Sequence, residues 1–299
     1  MKLDKFKGII VAMNSCYDSN GAISTHAVKK LTRFLIDKGV SGLYVGGSTG
    51  EGFLQTVNER KKVLEAVMEE NAGRVTVIAQ VGSISTRESM EIAQHAEGLH
   101  VDAISAVPPF YYKVSEKGAE NHWMHIIEST SLPFIIYHIP LTTGFHISMN
   151  LFQRMVAHEQ VIGLKITTPS SYELQQFKEV GGNDFIVFNG PDEQYLAGRI
   201  MGADAGIGGI YGAMPELFLK IEQSYTSGNL TEARKWQFIV NGIITDILKL
   251  PTYAALKEIV KLRGVDCGMP RLPIEPLTND TYPKVEKLHK KIMEAVKQK

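Results

Sequence analysis

The run 161-VIGLKITT-168 places an amine among apolar neighbours: Val161, Ile162, Leu164 and Ile166 read as a buried strand with Lys165 inside it. An ammonium group is strongly hydrated, and burying it is costly unless it is paired or neutral. Either Lys165 snorkels out or finds a carboxylate, or its amine is kept neutral as a nucleophile. Tyr137, in 134-FIIYHI-139, sets a phenol on what would be the adjacent strand. Neighbouring strands lie about 4.8 Å apart, so inward side chains near their ends can meet. A phenol beside an amine is a proton-transfer pair; the alternative is a core aromatic with a satisfied hydroxyl.

A third stretch, 46-GGSTGEG-52, lacks the GK[ST] ending of a P-loop. Its glycines permit a tight turn with several N–H groups, Gly47 among them, turned one way. Ser48 and Thr49 add hydroxyl donors. Such a nest suits a carboxylate as well as a phosphate; the simpler reading is a strand-to-helix turn, with Glu51 tying it to its neighbours. Tyr111 and Tyr112 in 108-PPFYY-112, and Asp192 and Glu193 in 189-NGPDE-193, stand at other strand ends, as do Gly208 and Gly209 in 206-GIGG-209. Metal readings are weak: His122 and His125 share a helix face without a carboxylate to complete a set, while His138 and His146 read as hydrogen-bonded structural histidines. The run 206-GIGGIYG-212 misses GxGxxG because Tyr211 stands at its last position. No metal and no cofactor are expected.

Positioning these groups takes eight short β-rich runs, 8–13, 42–46, 75–81, 102–107, 134–139, 161–166, 185–189 and 205–210. Amphipathic helical stretches at 25–39, 58–71, 86–99, 116–130, 148–158, 170–181, 193–202 and 215–228 separate them. Thr25 and Asn58 read as N-caps, Gly39 and Gly228 as stops. Strict alternation implies a parallel sheet with right-handed crossovers. Eight repeats suit closure into an α/β (β/α)8 TIM barrel, with active-site residues at the C-terminal strand ends; a doubly wound open sheet is the competitor. Residues 1–228 form the expected barrel. Residues 229–299, helical at 230–249, 253–263 and 283–297, form a C-terminal helical extension packed on it.

The 299 residues hold 32 basic and 32 acidic side chains, a net charge of zero. That disfavours a nucleic-acid partner, which would want a basic face. No apolar run approaches the roughly 20 residues of a membrane span, and MKLDKFKG opens without a signal-peptide core. Cys16 and Cys267, far apart in sequence, point to a reducing, cytoplasmic setting without a disulfide framework.

Together these motifs resemble the N-acetylneuraminate lyase and dihydrodipicolinate synthase superfamily of Schiff-base pyruvate aldolases, over nearly the whole chain. The order G-[ST]-T-G-E, aromatic pair, Y-x-[IV]-P and lysine strand is kept. The resemblance implies that Lys165 forms an imine with the C2 ketone of pyruvate and that Tyr137 shuttles the proton. It gives Ser48 and Thr49, helped by loop amides such as Gly47, the carboxylate. Ser48 also matches a relay hydroxyl between two tyrosines. Tyr111 matches a tyrosine lent by a neighbouring subunit, which implies an oligomer, typically a homotetramer. Synthases carry Y-N-V-P-x-R-T-G; here 137-YHIPLTTG-144 puts Thr142 at the arginine position, which argues against aspartate semialdehyde. The lyase branch fits better, with Asp192 and Glu193 on sugar hydroxyls and Thr167, Gly190, Gly208 and Gly209 beside them. Lyases commonly have serine where this chain has Gly209, so one sugar hydroxyl is expected to lack a partner or meet water. The implied reaction is cleavage of N-acetylneuraminate to N-acetylmannosamine and pyruvate. Rival readings are a 2-keto-3-deoxy sugar acid aldolase or dihydrodipicolinate synthase, a metal-dependent aldolase, and a non-catalytic keto-acid sensor.

Overall fold

The computed structural model describes residues 3–298, so the first two residues of the MKLDKFKG stretch and Lys299 lie outside the described residues. Eight parallel strands close in sequence order into a barrel: β1 (Gly8–Ala12), β2 (Gly42–Val45), β3 (Thr76–Gln80), β4 (Ala103–Ala106), β5 (Phe134–His138), β6 (Val161–Ile166), β7 (Ile186–Asn189) and β8 (Ala205–Gly208). Between them run α1 (Thr25–Asp37), α2 (Val57–Asn71), α3 (Thr86–Gly98), α4 (Glu116–Glu128), a short α5 (Pro140–Thr143) with α6 (Met149–Val156), α7 (Ser171–Gly181) and α8 (Tyr195–Ile200); α9 (Pro215–Thr226) follows β8. The open-sheet alternative is thereby overturned.

Two apolar layers explain why the strands read as continuously hydrophobic. Ile10, Tyr44, Ile78, Ile135, Ile186 and Ile207 fill the barrel interior. Val11, Leu43, Val77, Ile104, Leu164 and Val187 face the helices. Strands covered on both faces need no polar alternation.

Two caps differ from expectation. Ser24, not Thr25, caps α1: its extended backbone lets the hydroxyl accept from the Ala27 N–H. Thr56, not Asn58, caps α2, in a reciprocal box with Glu59. Gly39 and Gly228 follow their helices at φ +84° and +80°, as the stop reading requires.

One register detail governs the site. β5 and β6 pair Phe134 with Val161 but Ile135 with Gly163, so Ile162 is an extra residue on β6. The shift brings Tyr137 opposite Lys165. Without it Leu164 would stand beside Tyr137 and Lys165 would pair with His138 on the outer face.

The C-terminal extension comprises α10 (Leu230–Ile247), α11 (Thr252–Leu262) and α12 (Tyr282–Lys297). α10 packs along α9, and α11 packs on the turn Ile210–Ala213 that follows β8. Among the described residues no single helix is long and apolar enough to cross a membrane. Cys16 and Cys267, remote in sequence, meet where this extension joins the barrel. Both are buried free thiols with their sulfurs 2.9 Å apart, and burial pushes the Cys16 thiol well up.

Candidate active site

Lys165 and Tyr137 lie side by side inside the barrel, both nearly inaccessible. The Lys165 Nζ sits 4.1 Å from the centre of the Tyr137 ring and 4.4 Å from that of Tyr44. The two rings meet edge to face at 6.0 Å. The amine is therefore boxed by two phenols rather than paired with a carboxylate, and the snorkelling alternative is set aside by burial. Tyr44 is a neighbour that sequence reasoning missed. Its hydroxyl donates to Ser105 Oγ at 3.2 Å, and burial pushes its phenol well up. In 42-GLYVG-46 it looks like any apolar strand residue; only its inward facing reveals it.

Above the lysine, the loop after β2 turns tightly: the Gly52 N–H reaches Gly47 O at 3.2 Å and the Glu51 N–H reaches Ser48 O at 2.9 Å. Ser48 borders a cleft of about 300 Å³ at the barrel mouth, whose walls include Phe110, Ile139, Thr142 and Tyr253. Among the described residues no lysine or arginine lines that cleft. Thr142 and Thr143 donate to Ile139 O. Tyr253, from α11, is a second wall residue the sequence did not single out.

Across the mouth, Asp192 is buried. Its Oδ2 accepts the Ile210 N–H at 2.8 Å, while Oδ1 has no partner. Burial pushes this carboxyl up to about 7, the Ile210 bond opposing. A Cβ at Gly208 would fall 1.9 Å from Asp192 Oδ1, so glycine is what lets that oxygen stand over β8. At Gly209 a Cβ would fall 2.4 Å from Thr49 Oγ1. A side chain at that position would require the Thr49 side chain to shift. Thr167 follows β6 with its Oγ1 buried and unpaired, and beside it Gly190 donates its N–H to Ile166 O at 2.8 Å.

Glu193 is exposed, its backbone O held by Asn241 Nδ2 at 3.0 Å. Tyr111 stands apart. It is 85% exposed and takes φ +77°, with Tyr112 edge-on at 5.1 Å. The structure does not bring Tyr111 into the barrel of its own chain.

The histidines resolve individually. His122 bonds Thr86 Oγ1 at 2.8 Å and His125 bonds Asn121 O at 2.7 Å. Among the described residues one trio of potential metal donors gathers, His138, His146 and Glu173. His138 Nε2 meets Glu173 Oε1 at 3.3 Å, which holds the Glu173 carboxyl below its usual range. The His138 Nδ1 is buried without the second partner that orients a metal-ligating histidine. His146 is exposed, close to His138 and Glu173.

Fold and site together define a (β/α)8 barrel with a boxed amine below a ring of hydroxyl, amide and carboxyl groups. A family model for the dihydrodipicolinate synthetase family matches residues 5–292, and the chain belongs to that family. It is 42% identical over 299 residues to an N-acetylneuraminate lyase of Mediterraneibacter gnavus, covering 99% of this chain and 95% of the relative. The solved structure of a Ruminococcus gnavus sialic acid aldolase catalytic lysine mutant superposes with a TM-score of 0.97 at 42% identity, covering 98% of each chain. CdNal from Clostridium difficile in complex with mannosamine superposes with 0.93 at 33% identity, covering 96% of this chain and 99% of that one.

Proposed function

We propose that this chain is a Schiff-base lyase that cleaves N-acetylneuraminate to N-acetylmannosamine and pyruvate. The observation that carries it is Lys165 in register with Tyr137 inside a box of phenols, near a buried carboxyl with a free oxygen at the barrel mouth. The nearby relatives named for this activity, one of them a catalytic lysine mutant, support the same reading.

The Lys165 amine attacks C2 of the keto acid, and the Tyr137 phenol gives its proton to the departing water, leaving a protonated imine and a Tyr137 phenolate. Tyr137 takes the proton of the C4 hydroxyl as the C3–C4 bond breaks. The bonding pair flows into the imine, leaving an enamine and the released aldehyde. Tyr137 returns a proton to C3, and water hydrolyses the imine to free pyruvate. The Ser48 and Thr49 hydroxyls and the Gly47 amide hold the carboxylate, Ser48 also relaying protons. Asp192 Oδ1 accepts a sugar hydroxyl, Glu193 serves the outer end of the chain, and Thr167, Gly190, Gly208 and Gly209 shape the space between. A cation-free cleft at Thr142 offers no grip on a second substrate carboxylate, which favours a sugar over an amino-acid aldehyde. Tyr111 completes the site of a neighbouring copy within a homotetramer. Two free buried thiols suit a reducing cytoplasm.

Borohydride trapping tests it. With pyruvate the parent gains one covalent adduct, mapped by mass spectrometry to Lys165, and Lys165→Ala gains none and loses turnover while folding normally. Turnover in Lys165→Ala within tenfold of the parent would sink the imine. Release of pyruvate from 2-keto-3-deoxygluconate much faster than from N-acetylneuraminate would reassign the substrate.

A further inference from the structure

Glu51 occupies the left-handed region at φ +54°, ψ +29°, where non-glycine residues are uncommon and strained. It lies three residues after Ser48 and two after Thr49. The backbone holds it there on both sides: its N–H donates to Ser48 O at 2.9 Å and its O accepts from the Leu54 N–H at 2.9 Å. Its carboxylate is held by the C-terminal extension. Oε2 accepts the Arg271 N–H at 2.7 Å. Lys257 of α11 sets its Nζ 2.6 Å from Oε1, an ion pair off the line of a hydrogen bond. The two side chains are 2% and 0% exposed. The same Nζ donates to Met269 O at 3.3 Å and lies 4.3 Å from the centre of the Tyr17 ring. Tyr17 is tied in turn to Gln55, whose amide donates to Tyr17 Oη and to Gly50 O, both at 2.9 Å.

A buried ion pair is weak evidence for stability, because apolar residues usually do as well. Its use is geometric: two desolvated charges tolerate one arrangement, and this one ends on a strained residue of the anion-binding loop. We propose that Glu51 and Lys257 are positioning residues through which the C-terminal extension holds Ser48, Thr49 and the loop amides in the geometry that binds the pyruvate carboxylate. The inference rests on the pyruvate reading of that loop. Both side chains are buried, though Glu51 borders the cleft, and the pair acts by setting where the donors point. Their displacement by a fraction of an ångström weakens carboxylate binding without removing the nucleophile.

Pyruvate-dependent borohydride trapping is measured on the parent, Lys257→Met, Glu51→Gln and Lys257→Arg, recording the half-saturating pyruvate concentration and the number of trappable sites per chain. Lys257→Met and Glu51→Gln are expected to raise the half-saturating concentration about tenfold or more, with the full number of sites still trapped at saturation. Lys257→Arg, which keeps the charge, recovers most of the loss. Fewer trappable sites at an unchanged half-saturating concentration overturn the proposal, because a pair that only holds the fold acts that way. So does a shift within twofold in well-folded variants. Should Lys257→Met fail to fold, Glu51→Gln decides alone, since it keeps the shape and the acceptor for the Arg271 N–H. A parent that pyruvate never traps sinks the pyruvate reading itself, a result separate from any variant.

Discussion

Asp192 carries a carboxyl raised to about 7 by burial, with one oxygen held and one free. An unfolded aspartate titrates near 3.9. The native state therefore binds the proton more tightly, and the stability this gives is full below about pH 3.9 and lost as pH rises through about 7. Above that window the buried charge costs up to roughly 4 kcal/mol. Asp192→Asn should thus raise the melting temperature at pH 8 and barely move it at pH 4. At pH 8, where the carboxyl is ionised, it should also lower kcat/KM for N-acetylneuraminate about tenfold or more, because a hydroxyl contact to an ionised acceptor contributes about 1.5–3 kcal/mol. Pyruvate trapping should survive. Parallel melts and kinetics check both halves, and a variant neither steadier nor slower would leave the free oxygen without a role. Lys165 was legible as an anomaly of type, a charge in apolar surroundings, and Asp192 only by its place at a strand end and by resemblance. Tyr44 was not, because an inward tyrosine differs from an outward one only by facing.

At the scale of elements, alternation and apolar content marked every strand and every long helix near its observed place; the single turn α5 (Pro140–Thr143) was too short to show a periodicity. The caps slipped by a residue or two, since several hydroxyl and amide side chains near each helix start could serve. Ser24 takes the role by having extended backbone and a hydroxyl aimed at the Ala27 N–H. Ser24→Ala should therefore cost about 1 kcal/mol, read as a lower urea midpoint at unchanged slope, with KM for N-acetylneuraminate unaltered. An unmoved midpoint would mean the cap contributes nothing. The extra residue on β6 was invisible beforehand for a different reason. Ile162 is an ordinary strand residue; what makes it supernumerary is the pairing of Ile135 with Gly163, a property of two strands together. That pairing nonetheless decides whether Lys165 faces the barrel interior.

For the whole molecule, the barrel supplies a floor and a ring of loops, and the extension reaches that ring through Lys257, Arg271 and Tyr253. One proposed participant is still outside. Tyr111 is 85% exposed, in a left-handed conformation, edge-on to an exposed Tyr112, and Leu141 on α5 is 94% exposed. Two large exposed aromatic side chains in contact suit burial against another copy, and in a two-fold dimer each chain would lend Tyr111 to its partner. Lys165→Ala and Tyr111→Phe should each be impaired alone. Mixed chains should then pair so that one site per heterodimer receives an intact Lys165 from one subunit and an intact Tyr111 from the other. Random pairing of equal amounts makes half the dimers mixed, so about a quarter of the parent activity should return. The check is to unfold and refold the two variants together and assay pyruvate release against each refolded alone. Recovery no greater than the sum of the separate variants would mean that Tyr111 serves no neighbouring site.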